Sequence, residues 1–303
     1  MCIRDRFKYP QLTSKHLYSA IKIGLKISAL GVEKSAHQGD FSKLRKRYDL
    51  MGKIVPRSIS RADTMLGQIS ATWFTPKKLS DNSVILYCHG GGYCIGSTQS
   101  HAALCGLIAK TCQRKVISIN YRLAPEHAYP AMIDDGYTAY QALLAEGHSR
   151  IILMGDSAGG SMVLSLLQRI RDTGIQPALC AVAMSPWFDF EMKSPTLYTH
   201  KDPILSKEMV ATFTKYTFRH NSQQQHSLVY TNFEHLPPIL ITIAGGDVLE
   251  GENLQLATIL KTANPAGRIE YWEGMPHVFQ ALHPLLKEAQ LSVNHFKTFI
   301  ESV

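Results

Sequence analysis

Ser157 lies in Gly155-Asp156-Ser157-Ala158-Gly159-Gly160, directly after the apolar run Ile151-Ile152-Leu153-Met154 and before a helical pattern. A serine on so tight a strand-to-helix turn is held in a strained conformation with its hydroxyl exposed. Side chains at 155 and 159 would collide with neighbouring backbone, so both positions require glycine. The chemistry this arrangement could do is nucleophilic attack on a carbonyl carbon. Alone the pattern is weak, because a strand can turn into a helix this way with no chemistry attached. His89-Gly90-Gly91-Gly92, directly after the apolar run 84–88, strengthens it. A glycine-rich turn after a strand lets backbone N–H groups point at a developing oxyanion, which a β-carbon would crowd. Such a loop could also cradle phosphate, and Gly91, Gly96 and Thr98 mimic part of a nucleotide loop. Ser97, however, stands where that use requires lysine.

A serine nucleophile needs a base and a group that orients the base, in the chain order Ser, Asp or Glu, His. Asp247 follows the apolar run 239–244 in Gly245-Gly246-Asp247-Val248-Leu249. His277 follows the run 268–272 in Gly274-Met275-Pro276-His277-Val278-Phe279. Both fall past the carboxyl ends of expected strands, the edge where open α/β sheets build their sites. Singly, an Asp in a glycine turn is a turn former and a His after Pro a loop residue. The order and placement together make them the orienting acid and the base.

These residues need a sheet to carry them. Strands are expected at 69–74, 84–88, 116–120, 151–154, 179–184, 239–244 and 268–272, with helices at 101–112, 131–145, 158–171, 251–263 and 284–302. Short apolar runs alternating with helical patterns predict an α/β fold with a mostly parallel central sheet flanked by helices. Pro130 suits a helix start and Gly174 a helix end. The first sixty residues read as helical, Leu17, Ile21, Gly24, Leu25 and Ser28 sharing a face beside Lys15, Lys22 and Lys26. Residues 188–235 break the alternation, and Met209, Val210, Phe213 and Tyr216 repeat at helical spacing, as an inserted helical segment would.

The 303 residues are 45% hydrophobic and 18% charged, which fits a globular protein and excludes global disorder. The net charge of +8 is uneven: residues 1–60 hold 13 Lys/Arg against 4 Asp/Glu, and the rest 19 against 20. Net charge therefore gives no ground for nucleic-acid binding, and the run Lys43-Leu44-Arg45-Lys46-Arg47 comes with no recognition module. It is expected either to form a solvated face or to attract anionic substrates and membrane surfaces, with salt-dependent activity in the second case. No stretch reaches the roughly 18 apolar residues of a membrane span, so no stable membrane insertion is expected. Lys22 and Lys26 interrupt the best leader candidate, and the expected location is cytoplasmic. Met1-Cys2-Ile3-Arg4-Asp5-Arg6 resembles translated sequencing-adapter sequence from metagenomic assemblies, which leads us to expect that the native start is lost. The six cysteines lack a CxxC pair and read as reduced packing thiols. The thirteen histidines form no HExxH or Cys/His ligand spacing, so no metal is expected.

Residues 50–303 resemble the hormone-sensitive-lipase-like α/β-hydrolases, the bacterial family IV carboxylesterases. The resemblance rests on His89-Gly90-Gly91-Gly92-Tyr93, Tyr121-Arg122-Leu123-Ala124-Pro125-Glu126-His127, Gly155 to Gly160, Ser185-Pro186-Trp187, Asp202-Pro203-Ile204-Leu205, and the Asp247 and His277 turns. It implies an α/β-hydrolase core at 51–187 and 236–303 under a helical cap built from 1–50 and 188–235. Glu250-Gly251 departs from the Arg-Asp often found after the acid's turn. The implied mechanism is hydrolysis of short- to medium-chain esters, without cofactor. Ser157 attacks, His277 acts as base and then acid, and Asp247 orients it; the N–H groups of Gly91, Gly92 and Ala158 bind the oxyanion. Tyr93, Met209 and Phe213 are candidates for the substrate pocket, with Tyr93 equally suited to packing. His89 is expected to bond within its own loop, Arg122 and Glu126 to form a buried ion pair, Asp156 to tether a neighbouring loop, and Asp134 and Asp135 to anchor a helix or loop. An amidase or formamidase stays open, since the triad does not distinguish leaving groups. A ligand receptor on this fold would lack a triad member, and a dehydratase would not keep the nucleophile. The expected partner is a small ester; a homodimer stays open.

Overall fold

The computed structural model describes residues 5–7, 41–53, 55–218 and 222–303. Its described strands are β1 (Asp5–Phe7), β2 (Ile59–Leu66), β3 (Ile69–Pro76), β4 (Val84–Cys88), β5 (Lys115–Ile119), β6 (Ile151–Asp156), β7 (Ala181–Met184), β8 (Ile239–Gly245) and β9 (Arg268–Glu273). They form one sheet in the order β1-β9-β8-β7-β6-β4-β5-β3-β2. The β2–β3 and β3–β5 pairs are antiparallel and the other pairs parallel.

Parallel neighbours need crossovers, and the helical patterns supply them. The helix α2 (Ala102–Cys112) joins β4 to β5, α3 (Ala131–Ala145) joins β5 to β6, and α4 (Ala158–Thr173) joins β6 to β7. Across the last parallel pair runs α8 (Glu250–Ala263), and α9 (Lys287–Glu301) ends the chain. Successive side chains of a strand point to opposite faces. Leu86 and Leu153 therefore join one apolar layer with Leu143, Leu164 and Leu256, while Ile85, Tyr87 and Ile152 join the other with Leu107, Ile108 and Phe296. Every residue of β4 and β6 is buried, as the unbroken apolar runs require of a sheet covered on both sides. Pro130 stands at the N-cap of α3, and Gly174 ends α4 in the left-handed conformation, at φ +66°.

Two strands go beyond those expected, β1 within the stretch read as helical and β2 at its end. β1 pairs with β9, and β2 pairs along its whole length with β3, from Ile59↔Pro76 to Leu66↔Ile69. Five of the eight β2 residues are exposed, so the strand carries no apolar run and its signal was hidden. Its backbone pairing with β3, not its side chains, defines it. The expected face at Leu17 to Ser28 and the lysines at 15, 22 and 26 lie outside the described residues. The helix α1 (Ser42–Asp49) agrees with the expectation.

Residues 188–235 contain no strand among the described residues, but three α-helices, α5 (Thr196–Thr199), α6 (Lys207–Thr217) and α7 (Gln223–His226), and a 3-10 turn at Leu228–Tyr230. Ser206 caps α6 by accepting the Met209 N–H at 3.2 Å. On α6, Met209, Val210 and Phe213 are buried, and Tyr216 meets Phe41 edge-on at 5.2 Å. The insertion is thereby joined to the segment carrying α1.

Candidate active site

Ser157 sits between β6 and α4 at φ +53°, a left-handed conformation rare for any residue but glycine. Such a backbone costs about 1–3 kcal/mol and persists only when its surroundings hold it. Here the Ser157 N–H donates to the carbonyl of Met184 at 2.8 Å, and the Trp187 N–H donates back to the Ser157 carbonyl at 3.1 Å. A β-carbon on Gly155 would strike the carbonyl of Gly159, and one on Gly159 the carbonyl of Cys88. The close approach of two backbone segments is thus what these glycines permit.

Asp247 and His277, 30 residues apart in sequence, meet past the ends of β8 and β9. Asp247 Oδ2 lies 2.7 Å from His277 Nδ1, and His277 Nε2 lies 2.8 Å from Ser157 Oγ. Asp247 and His277 are only 1% and 4% exposed. Burial alone would lower the affinity of His277 for its proton. The charge and hydrogen bond of Asp247, followed by the charges of Asp202 and Asp156, outweigh it and raise the pKa above the usual histidine value. The arrangement can pass a proton from hydroxyl to imidazole while the carboxylate stabilises the imidazolium.

The loop after β4 turns through three left-handed residues, Gly91 at φ +112°, Gly92 at +59° and Tyr93 at +59°. Asp156 anchors its start, accepting the Gly90 N–H at 3.1 Å and the Tyr87 hydroxyl at 2.6 Å. Burial works against that carboxylate's charge, but His101, 3.5 Å away, together with Tyr87 and His89, keeps its pKa below the ordinary value. Asp156 is thus the loop tether expected of it. His89 bonds the Gly90 carbonyl through Nδ1 at 2.8 Å and stacks on Tyr121 at 4.2 Å. Burial and the neighbouring His101 depress its pKa to about 3, so it is neutral near pH 7. Ala158 begins α4, where the first N–H groups have no partner within the helix.

A cavity of about 130 Å³ is lined by Ser157, His277, Gly91 and Gly92. Its apolar walls include Met209 and Phe213 of α6, Ile204 and Leu205 before it, and Leu282 after β9. Met209 and Phe213 therefore line the cavity that holds Ser157. Tyr93 is not among the lining residues. It is fully buried, in an aromatic cluster with Tyr121, Tyr129, Trp187 and Phe190, because the left-handed turn directs it into the core. Sequence reasoning missed Tyr48, His101, Trp187, Ile204 and Leu205 as lining residues. The motifs at Ser185-Pro186-Trp187 and Asp202 to Leu205 held the signal for the last three.

The expected Arg122–Glu126 pair does not form. Arg122 forks onto Asp135, at 2.7 Å from Nη2 to Oδ1 and 2.9 Å from Nε, and its own N–H also reaches Asp135. Asp135 faces Arg122 from the first turns of α3, whereas Glu126 is exposed and binds Arg45 of α1. Asp134 pairs with Arg169 at 2.6 Å, which fits a helix-anchoring role. Among the described residues no cluster of three His, Cys, Asp or Glu could hold a metal ion, and no helix is long and apolar enough to cross a membrane.

The family model for the alpha/beta hydrolase fold matches residues 85–281. The chain is 30% identical over 247 residues to an acetyl-hydrolase of Streptomyces hygroscopicus, covering 78% of this chain and 81% of that protein. It is 30% identical over 235 residues to an esterase of Acinetobacter venetianus, covering 73% and 77%. Among solved structures, an esterase from the bacterial hormone-sensitive lipase (HSL) family aligns with a TM-score of 0.83 at 30% identity, covering 96% of this chain and 99% of that one. EstE5, in crystals soaked by p-nitrophenyl butyrate, aligns with a TM-score of 0.85 at 28% identity, covering 95% and 99%. With the serine turn, the glycine loop and the sheet in place, these matches mean that the chain belongs to the hormone-sensitive-lipase-like family of α/β-hydrolases, the bacterial family IV carboxylesterases.

Proposed function

We propose that the chain hydrolyses short- to medium-chain carboxylic esters through a Ser157–His277–Asp247 triad and an acyl-enzyme intermediate. The observation that carries this reading is the unbroken hydrogen-bond path from Ser157 Oγ through His277 to Asp247, opening into an apolar cavity. His277 takes the Ser157 proton as the oxygen attacks the ester carbonyl, and Asp247 holds the imidazole tautomer and balances the charge formed. The N–H groups of Gly91, Gly92 and Ala158 receive the oxyanion, each donor contributing about 2.7–4 kcal/mol at the transition state. His277 then protonates the leaving alcohol, and water, deprotonated by the same imidazole, releases the acid.

In this reading 188–235 and the described residues 41–50 form a cap over a core of 51–187 and 236–303, while residues 5–7, expected in the cap, join the core sheet as β1. The contact of Phe41 with Tyr216 and the α6 residues in the cavity wall support that division. The five described cysteines are free and buried, which supports a reducing, cytoplasmic setting.

The test is turnover of p-nitrophenyl butyrate, an ester to which a relative's crystals have been exposed, with a matched anilide beside it. Wild-type protein should cleave the ester in strong preference and be labelled by a serine-directed fluorophosphonate. Ser157→Ala should lower kcat by about five to six orders of magnitude and abolish labelling. Preference for the anilide would favour an amidase, and unchanged turnover in the variant would remove Ser157 from the chemistry.

A further inference from the structure

His277 is held by a second carboxylate besides Asp247. Asp202, in the loop between α5 and α6, accepts the backbone N–H of His277 through Oδ2 at 2.6 Å. Its Oδ1 accepts the N–H groups of Ile204 at 2.6 Å and Leu205 at 3.0 Å. Ile204 and Leu205 line the same cavity as Ser157. One side chain therefore ties the wall against which a substrate would rest to the backbone of the residue that moves the proton. Hydrogen bonds from N–H to a charged carboxylate are about twice as strong as neutral ones, so this link is stiff. The link recurs at the acid: Thr196 of α5 donates to the Val248 carbonyl at 2.9 Å and accepts the Gly251 N–H at 2.9 Å. Both turns that bring the base and its orienter to Ser157 are fastened to the 188–235 insertion.

We propose that Asp202 is a positioning residue for the esterase reaction, which fixes His277 and the Ile204-Leu205 wall with one carboxylate and so couples filling of the pocket to alignment of the base. The inference rests on the reading of Ser157, His277 and Asp247 as the triad. The groups whose charge acts on Asp202 are Asp247 and His277. Burial and then Asp247 push its pKa up to about 6, against His277 and the N–H donors. In the ionised state Asp202 in turn favours the imidazolium form of His277. Asparagine at 202 keeps one acceptor oxygen but loses the charge.

The experiment measures kcat, KM and the pH profile of kcat/KM on p-nitrophenyl butyrate for wild type, Asp202→Asn and Asp202→Glu. Rates are normalised to sites titrated with fluorophosphonate, so that unfolded protein does not count. In Asp202→Asn, kcat per titrated site should fall about ten- to a hundredfold, the scale of a slight misplacement of catalytic groups. Its acid limb should move to lower pH, because His277 loses an anion that favours its protonated form. Asp202→Glu, which keeps the charge but shifts the oxygens, should show a lowered kcat with the acid limb near the wild-type position. That variant alone decides the matter if Asp202→Asn does not fold, and a wild-type kcat in it overturns the proposal. So does a loss of activity in Asp202→Asn with an unmoved acid limb, which would mark Asp202 as structural only. Wild-type protein that neither turns over the ester nor takes the label instead overturns the triad reading beneath it.

Discussion

The ring of Phe213 rests directly against the Cα of Gly92. A β-carbon built on Gly92 would overlap Cδ2 and Cγ of that ring and come within 2.8 Å of its Cβ. Helix α6 is thus seated on the loop proposed to offer the oxyanion donors. Thr217 strengthens the seat by donating its hydroxyl to the Gly92 carbonyl at 3.1 Å. The ceiling of the pocket and the geometry of the N–H groups cannot be changed independently.

Gly92→Ala should therefore injure catalysis more than binding. The methyl group meets the Phe213 ring, and φ +59° is unfavourable for alanine, so the loop must shift. Misaligning one oxyanion donor costs about 10²–10³ in kcat. The expected result on p-nitrophenyl butyrate is a kcat loss of that order with a smaller change in KM. A variant with wild-type kcat would show that the Gly92 N–H does not serve the transition state.

The pH profile follows from the raised pKa of His277. The base must be neutral to accept the Ser157 proton, so kcat/KM should fall as pH drops through the His277 pKa. Burial opposes protonation, but Asp247, Asp202 and Asp156 more than offset it, so the midpoint of the acid limb should lie above the 6.5 of an unperturbed histidine. Initial rates between roughly pH 5 and 9 measure this. A midpoint well below 6.5 would mean that desolvation, not the carboxylates, dominates at the base.

The parts legible in the sequence were those where one residue type answers one physical demand. The apolar runs of β4 and β6 announced a sheet buried on both faces, and the glycines around Ser157 announced a backbone that tolerates no Cβ. The order Ser157, Asp247, His277 singled out three side chains that meet in one hydrogen-bonded path, because each follows a strand whose end is fixed by the sheet. What escaped was pairing between partners with several options. Arg122 had acids at 126, 134 and 135 within reach, and only the fold chose Asp135. Tyr93 carried the chemistry of a pocket residue, but a left-handed turn points it inward. β2 has a solvent-facing surface and no apolar run. Asp202 was visible as part of a motif, yet nothing in the sequence tells that its carboxylate meets the backbone of a residue 75 positions away.

The basic run at 43–47 divides on inspection, and the division can be measured. Arg45 turns inward: Nε donates to the Cys94 carbonyl at 2.9 Å, Nη2 to the Ala124 carbonyl at 2.8 Å, and both Nη atoms to the carboxylate of Glu126. It fastens α1, which carries the cavity residue Tyr48, to Cys94 in the loop after β4 and to Ala124 and Glu126 in the segment after β5. Lys43, Lys46 and Arg47 are exposed. Arg45→Gln should therefore destabilise the protein by about 1.5–3 kcal/mol, the scale of hydrogen bonds to a charged group, and lower kcat/KM by loosening the Tyr48 wall. Neutralising Lys43, Lys46 and Arg47 together should leave stability within about 0.5 kcal/mol of wild type, as surface changes usually do. If those three groups attract anionic substrates, the triple variant should also lose the fall in activity between roughly 10 and 150 mM salt, over which the Debye length shrinks from about 30 to 8 Å. Chemical denaturation of both variants, with rates on neutral and anionic esters across that range, separates the clamp from the charged face. Equal stability losses in the two variants would mean that Arg45 is no different from its exposed neighbours.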